Sequence, residues 1–338
     1  MSDRTDSVAR LFPLLMCIAL LAGCATTAGL LGLGQKERTL KTARCEEGSE
    51  KTPLAKWGSI SGNLLARSAG IPASGTPDTG HIRLTSPVAV AARANDLFIA
   101  DAGQRAILKF DRGTQTVRTF ASVPDMNVRA GLYIDRGLSL YLVDPVAAKV
   151  IQFDIDGKLL QIFENTTELP QPIAMVVNEG QQEIIIGDQL TAHILVFNRA
   201  GLVSRAIGAS VTGGVRFQSI IAMTSGPDQL FVSDRLAHLV HALAPDGTYR
   251  YGFGEDELIS PGPIAFDMHN RVYVADNGDN TIKVYRGGQL EAVVGASGDP
   301  VGLGFQQLSD LWLSDGLLYV ADAGRASIDI LRVVPPCQ

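Results

Sequence analysis

Short apolar runs that stop at an aspartate recur along this chain. They read Leu97-Phe-Ile-Ala-Asp101, Leu140-Tyr-Leu-Val-Asp144, Ile184-Ile-Ile-Gly-Asp188, Leu230-Phe-Val-Ser-Asp234, Val272-Tyr-Val-Ala-Asp276 and Leu318-Tyr-Val-Ala-Asp322. Successive aspartates lie 43, 44, 46, 42 and 46 residues apart. A fixed period of this length marks a repeat architecture, in which each copy is one supersecondary unit.

Every copy carries four strand signals. An apolar run such as Pro87–Ala91 or Pro263–Asp267 comes first, and the aspartate-terminated run is second. A third follows a short turn, as in Ile107–Asp111, Val150–Asp154, Ile194–Asn198 and Ile282–Tyr285. A fourth, more polar run ends the copy, as in Lys158–Phe163 or Thr248–Phe253. Between third and fourth stand hairpin dipeptides: Asp156-Gly157, Ala200-Gly201, Asp246-Gly247 and Gly287-Gly288. The runs are short, β-branched and aromatic, without helical period. The first three are almost continuously apolar, which suits sheets buried on both faces. The pattern predicts an all-β chain, a six-bladed β-propeller of four-stranded antiparallel blades.

The repeats resemble those of the NHL-repeat family of β-propellers over residues 84–333. The closest copies are Leu97-Phe-Ile-Ala-Asp-Ala-Gly-Gln-Arg-Ala-Ile-Leu-Lys-Phe-Asp111 and Val272-Tyr-Val-Ala-Asp-Asn-Gly-Asp-Asn-Thr-Ile-Lys-Val-Tyr285. Copies two, three and four lose the glycine after the aspartate, at Asp144-Pro145, Asp188-Gln189 and Asp234-Arg235, so their turns are expected to differ. The last copy has only three strand signals, Leu308–Leu313, Leu317–Asp322 and Ser327–Val333, before Pro335-Pro336 stops the chain. The segment 57–71 precedes the first copy, and its stretch 63–70 is similar to the fourth strand 290–295. An N-terminal strand taken from this segment is therefore expected to complete the last blade and close the ring.

Composition agrees with a folded, turn-rich domain. Of 338 residues 46% are hydrophobic and 19% charged, with 35 Gly and 16 Pro. The net charge of −6 gives no global basic field, so no nucleic acid partner is expected. The chain starts with a basic stretch (Arg4, Arg10) and an apolar run Leu11–Ala22, too short to span a bilayer. Leu21-Ala22-Gly23-Cys24 resembles a bacterial lipobox. That resemblance implies a signal peptide over 1–23, lipid on Cys24 and a membrane anchor; Ala25 in place of Asp implies the outer membrane. A tether over 24–55, a propeller over 56–334 and a tail over 335–338 follow. Cys17 leaves with the signal, so Cys45 and Cys337 remain, one near each end of a ring whose ends meet. A disulfide between them is expected in an oxidising compartment; closing so long a loop stabilises by roughly 5 kcal/mol on the chain-entropy estimate.

Candidate chemistry is sparse. Asp101, Asp144, Asp188, Asp234, Asp276 and Asp322 recur once per blade before a turn, and so read as backbone acceptors rather than a catalytic ring. The five histidines, His81, His193, His238, His241 and His269, show no metal-binding spacing, and no metal or other cofactor is expected. The residues entering the third strand, Arg105, Lys149, His193, His238, Asn280 and Arg325, with Arg235 nearby, predict one locally basic face, on which Arg105 and Arg325 are exposed. The expected function is an envelope-anchored, monomeric module that binds or scaffolds a protein or anionic glycan. The alternative is a metal-dependent lyase or hydrolase at the central tunnel, lactonase-like or amidating-lyase-like, as in some proteins of the family it resembles.

Overall fold

The computed structural model describes residues 52–66, 81–165, 167–208, 215–296 and 302–336. All belong to the unit Cys45–Gln338; the unit Met1–Arg44, with Cys24, and the cysteines at 45 and 337 lie outside the described residues. Every regular element among them is a β-strand.

Six sheets, each with four antiparallel blade strands, form a six-bladed β-propeller. Strands are named a to d outward from the axis. The a strands, Pro87–Arg93, Gly131–Ile134, Pro172–Asn178, Ile220–Ser225, Pro261–Phe266 and Leu308–Ser314, pack against one another around the axis. The b strands are Asp96–Asp101, Leu140–Asp144, Glu183–Asp188, Leu230–Asp234, Arg271–Asp276 and Leu317–Asp322. The c strands begin at Ala106, Lys149, His193, Leu239, Thr281 and Ser327.

The continuous apolar runs have a direct physical cause. Alternate residues of one strand face opposite neighbours, and in this ring both neighbours are other blades. Leu97 and Ile99 pack against Tyr319 and Ala321 of blade six, while Phe98 and Ala100 pack against Leu140 and Leu142 of blade two. The core is thus divided into six clusters, one between each pair of adjacent blades. Each side chain as well buried as Phe98 or Leu97 contributes roughly 1.5–3 kcal/mol. The d strands face water: Val203–Ile207 and Tyr249–Phe253 bury only their last residue fully.

Blade six is completed by a strand from the N-terminal side, Leu54–Ile60, paired antiparallel with Ser327–Val333. This corrects the expected donor. Of the stretch 63–70 the described part, Asn63–Ala66, is not in blade six; it runs parallel to Thr116–Ser122 at the rim of blade one and pairs with His81–Arg83. The reason lies in a bulge between Lys56 and Gly58. It turns Leu54 toward blade five and Ile60 toward blade one, so the strand serves both faces with two apolar anchors and shows no clear period. Side chains of blade six also stitch the seam to blade one. Trp312 Nε1 donates to Ala92 O at 2.8 Å, Ser309 Oγ to Pro87 O at 2.9 Å, and Val90 N donates to Asp310 Oδ2 at 2.9 Å.

Candidate functional site at the tunnel mouth

Register distinguishes the two ends of the central tunnel. In five blades the aspartate ending strand b pairs with the first residue of strand a: Asp101 with Pro87, Asp188 with Pro172, Asp234 with Ile220, Asp276 with Pro261 and Asp322 with Leu308. We call this end upper.

The six repeated aspartates are buried and occupied by donors. Asp101 accepts from the N–H groups of Thr85 (2.8 Å), Ser86 (3.0 Å) and Gln104 (3.0 Å). Asp276 accepts from Ile259, Ser260 and Gly278 at 2.7, 2.8 and 2.9 Å, and Asp322 from Gln306, Gln307 and Arg325 at 3.0, 3.0 and 3.2 Å. Asp188 and Asp234 make the same kind of contacts, to Leu190 and Thr191 and to Gln218 and Ser219. Asp144 takes the Asn127 side-chain amide and the N–H groups of Val146 and Ala147. Each carboxylate thus clamps the loop before strand a to the b–c turn, and none lines the tunnel. Seven residues on, blades four to six place an ionisable side chain: His241 Nε2 lies 3.3 Å from Asp234, Lys283 sits on Asp276, and Asp329 holds Arg325 at 2.8 Å. Blades one to three have Leu108, Ile151 and Leu195 there.

The residues expected to form one basic ring do not occupy equivalent positions. Arg105, His238 and Asn280 stand fourth after their aspartates with φ of 53°, 56° and 55°, where the other blades place Ala148, Ala192 and Ala326. Lys149 and His193 are one residue later, paired across from Asp144 and Asp188; Arg325 is one residue earlier. Arg325 is not a free surface cation. Its guanidinium pairs with buried Asp329 and donates to the Leu303 carbonyl. His238 Nδ1 lies 2.7 Å from Ile259 O. Of the seven, only Arg235 lines the tunnel.

In half of the blades the position that reaches the axis is the one directly after the aspartate. Blades three, four and five carry Gln189, Arg235 and Asn277 there, and all three line the upper end of a tunnel of about 490 Å³, with Arg129 and Gln307 from the loops before strands a. Arg129 and Arg235 are close enough to repel. Burial first, then the Arg129 charge, draws the Arg235 guanidinium below its usual value. Arg235 Nε is buried without a hydrogen-bond partner, and among the described residues neither guanidinium has a carboxylate in ion-pair range. At the lower end Arg93 and Arg136 share the lining with Glu179, whose carboxylate accepts from Arg136 N at 2.8 Å and pairs with Arg199 at 3.4 Å. Both mouths therefore carry arginines outside ion-pair range of a carboxylate among the described residues, and at the upper one two of them are close enough to repel.

Besides Glu179 at the lower end, the Asp310 carboxylate lines the lumen. Asp310 pairs with Ala321, one step below the clamp; the matching residues of blades one to four are Ala89, Gly131, Ala174 and Ala222. Asp310 is half-buried in the tunnel wall. That burial pushes its pKa up to about 7, against the hydrogen bonds from Val90 and Leu311 that lower it. None of the five histidines lines this tunnel, and among the described residues no three His, Cys, Asp or Glu side chains gather into a metal-holding group.

No protein-family profile matches the chain, and no curated protein sequence matches it. Solved structures do share the fold. A streptogramin B lyase structure superposes with a TM-score of 0.59 at 10% identity, covering 82% of this chain and 98% of the other. Virginiamycin B lyase from Staphylococcus aureus gives 0.57 at 10% identity, over 75% and 96%. A structural genomics protein of unknown function from Bacteroides thetaiotaomicron gives 0.62 at 14% identity, over 81% and 76%. At these identities the likeness concerns the β-propeller fold alone.

Proposed function

We propose that this chain is an NHL-type lipoprotein of the bacterial envelope that binds an anionic ligand, on a protein or a glycan, at the upper mouth of its tunnel. The observation that carries the reading is the pair Arg129 and Arg235, two guanidiniums held near each other, one partly desolvated, without a counter-charge. An anion seated between them removes their repulsion and supplies charge-assisted hydrogen bonds of about 1.5–3 kcal/mol each. Titration of the full chain with an oligogalacturonate and with an oligoglutamate is the test. Binding should weaken with salt and fall at least about tenfold in Arg129→Gln/Arg235→Gln. Equal binding by that variant refutes the site.

The anchor and the disulfide belong to the same reading. Pro53 O accepts a hydrogen bond from Val334 N at 2.8 Å, so the chain leading back to Cys45 and on to Cys337 starts from adjacent points, which favours a bridge between them. Non-reducing peptide mapping of native material checks it. Cys24→Ser should shift the protein from the membrane to the soluble fraction.

A second reading, a lyase or hydrolase acting in the tunnel, is favoured by Asp310. A carboxyl titrating near neutrality can hold and release a proton at working pH. The fold likeness to two lyases is compatible with it. Turnover of a lactone or lyase substrate panel that disappears in Asp310→Asn would support this reading over binding alone.

A further inference from the structure

The position two residues after each clamp aspartate divides the ring in half. Blades one, five and six place Gly103, Gly278 and Gly324 there, and space demands it: a Cβ would fall 2.2 Å from Thr85 Oγ1, 2.4 Å from Ile259 Cγ2 and 2.8 Å from Gln306 Cβ. Blades two, three and four place Val146, Leu190 and Leu236, which are 73%, 70% and 62% exposed. The backbone N–H groups of Val146 and Leu190 still donate to Asp144 and Asp188, at 3.1 and 2.9 Å. Any residue would serve that contact, so the aliphatic side chains contribute nothing to the fold. Val128 (67% exposed) and Ile259 (55%) extend the row on either side. Five aliphatic tips on one end of the molecule exceed the scattered exposure that needs no explanation.

We infer that this upper face over blades two to four is a docking surface for a partner protein, met by a segment that sets a carboxylate among aliphatic side chains. The inference rests on the anion site above and names the partner's class. Charge complementarity carries it. Arg129 directly follows Val128, and Arg235 directly precedes Leu236, so the two unpaired cations are set into the apolar row. Exposed Asp125, Glu168, Glu255, Asp256 and Glu257 lie in the d–a loops of the same end. An anionic bilayer laid on this face would meet those carboxylates, whereas a narrow acidic segment reaches the mouth between them.

The test is selection of a phage-displayed random dodecapeptide library on the full chain, with phosphatidylglycerol vesicles as the competing probe. Enriched peptides should combine an acidic residue with flanking Leu, Ile, Val or Phe. Their affinity, read by fluorescence anisotropy, should fall roughly tenfold or more in Val146→Ser/Leu190→Ser/Leu236→Ser and in Arg129→Gln/Arg235→Gln. Circular dichroism should show both variants folded, since the three aliphatic side chains are exposed. If the peptides ignore the triple substitution yet respond to the arginine pair, the docking surface is wrong and the anion site stands. If neither variant matters, both fail. Vesicle binding that depends on Leu190, with no enriched peptide, makes the face a membrane contact and overturns the inference.

Discussion

Lys283 sets its ammonium on the carboxylate of Asp276, seven residues back and on the adjacent strand of blade five, with Asp279 also at 2.9 Å. Both partners are buried. Burial pulls the lysine down, but the hydrogen bonds it donates to Asp276 and Asp279 outweigh it and hold its pKa above the usual value. Asp276 is likewise pushed up by burial, yet Lys283 and the N–H groups of Ile259, Gly278 and Ser260 bring it below the usual carboxylate range. Lys283→Met leaves a buried carboxylate without its cation and should cost about 3 kcal/mol in urea unfolding at pH 7. The pair's contribution is complete above the unfolded carboxylate value of about 3.9 and is lost as pH falls through the lower folded value of Asp276. The wild type should therefore lose more stability than the variant on acidification. Superimposable pH profiles would refute this.

Asp310 has the opposite sign. Its folded pKa, about 7, lies above the unfolded one, so the folded protein holds a proton that the unfolded chain releases. Stability should decline as pH rises from about 4 to about 7 and then level off. Asp310→Asn keeps an acceptor for Val90 N and carries no charge. It should match the wild type near pH 4 and exceed it by about 2 kcal/mol at pH 8, a value reduced from the full shift because Asp310 is only half-buried. Chemical denaturation at the two pH values decides; a variant weaker than wild type at pH 8 contradicts the assignment.

The turns predict an asymmetry between blades. Gly103→Ala should destabilise by about 2 kcal/mol, because its Cβ lands on Thr85, whose hydroxyl and N–H both bond Asp101. Leu190→Gly, at the matching site of blade three, should change stability by less than about 0.5 kcal/mol. Thermal melts of the two variants test the pair. Equal losses would mean that the leucine packs on the fold after all.

The seam gives a fourth expectation. Removing the strand Leu54–Ile60 strips blade six of its outer strand and uncovers Leu331 and Ile328. The truncated chain should be cut by protease within Ser327–Val333 at a protein-to-enzyme ratio that leaves the full chain intact. Trp312→Phe, which removes the bond to Ala92 O and part of the ring that packs on Tyr133, should cost at least about 1 kcal/mol without exposing that strand.

Much of this fold is legible in the residue order because one physical rule is repeated six times. Buried strands flanked by blades must be apolar on both faces, and a tight turn needs an acceptor, so Phe98 and Leu97 are both apolar and Asp101 follows. The closing strand is harder to read because a bulge breaks its period. The site was less legible still. Lys149, His193 and Arg325 look aligned with Arg105 in a one-dimensional count, but the left-handed turn residue is the fourth after each aspartate, and only the first after it reaches the axis. Aligning copies on that first position sets Gln189, Arg235 and Asn277 against Ala102, Pro145 and Ala323, the one signal that marks the mouth. Arg129 and Asp310 carry no such mark; Asp310 stands out only once strand a is registered against Ala89 and Ala174.

The strand that closes the ring is also the one joined to the chain's N-terminal side. Leu54 lies opposite Val333 and Ile60 opposite Ile328, so the strand runs along its partner from the lower end to the upper. Tension applied ahead of Leu54 along that axis acts on the whole ladder at once, in shear, rather than peeling one hydrogen bond after another. A propeller hung from a surface by this side would resist being pulled apart at its weakest join, the place where the two ends of the chain meet.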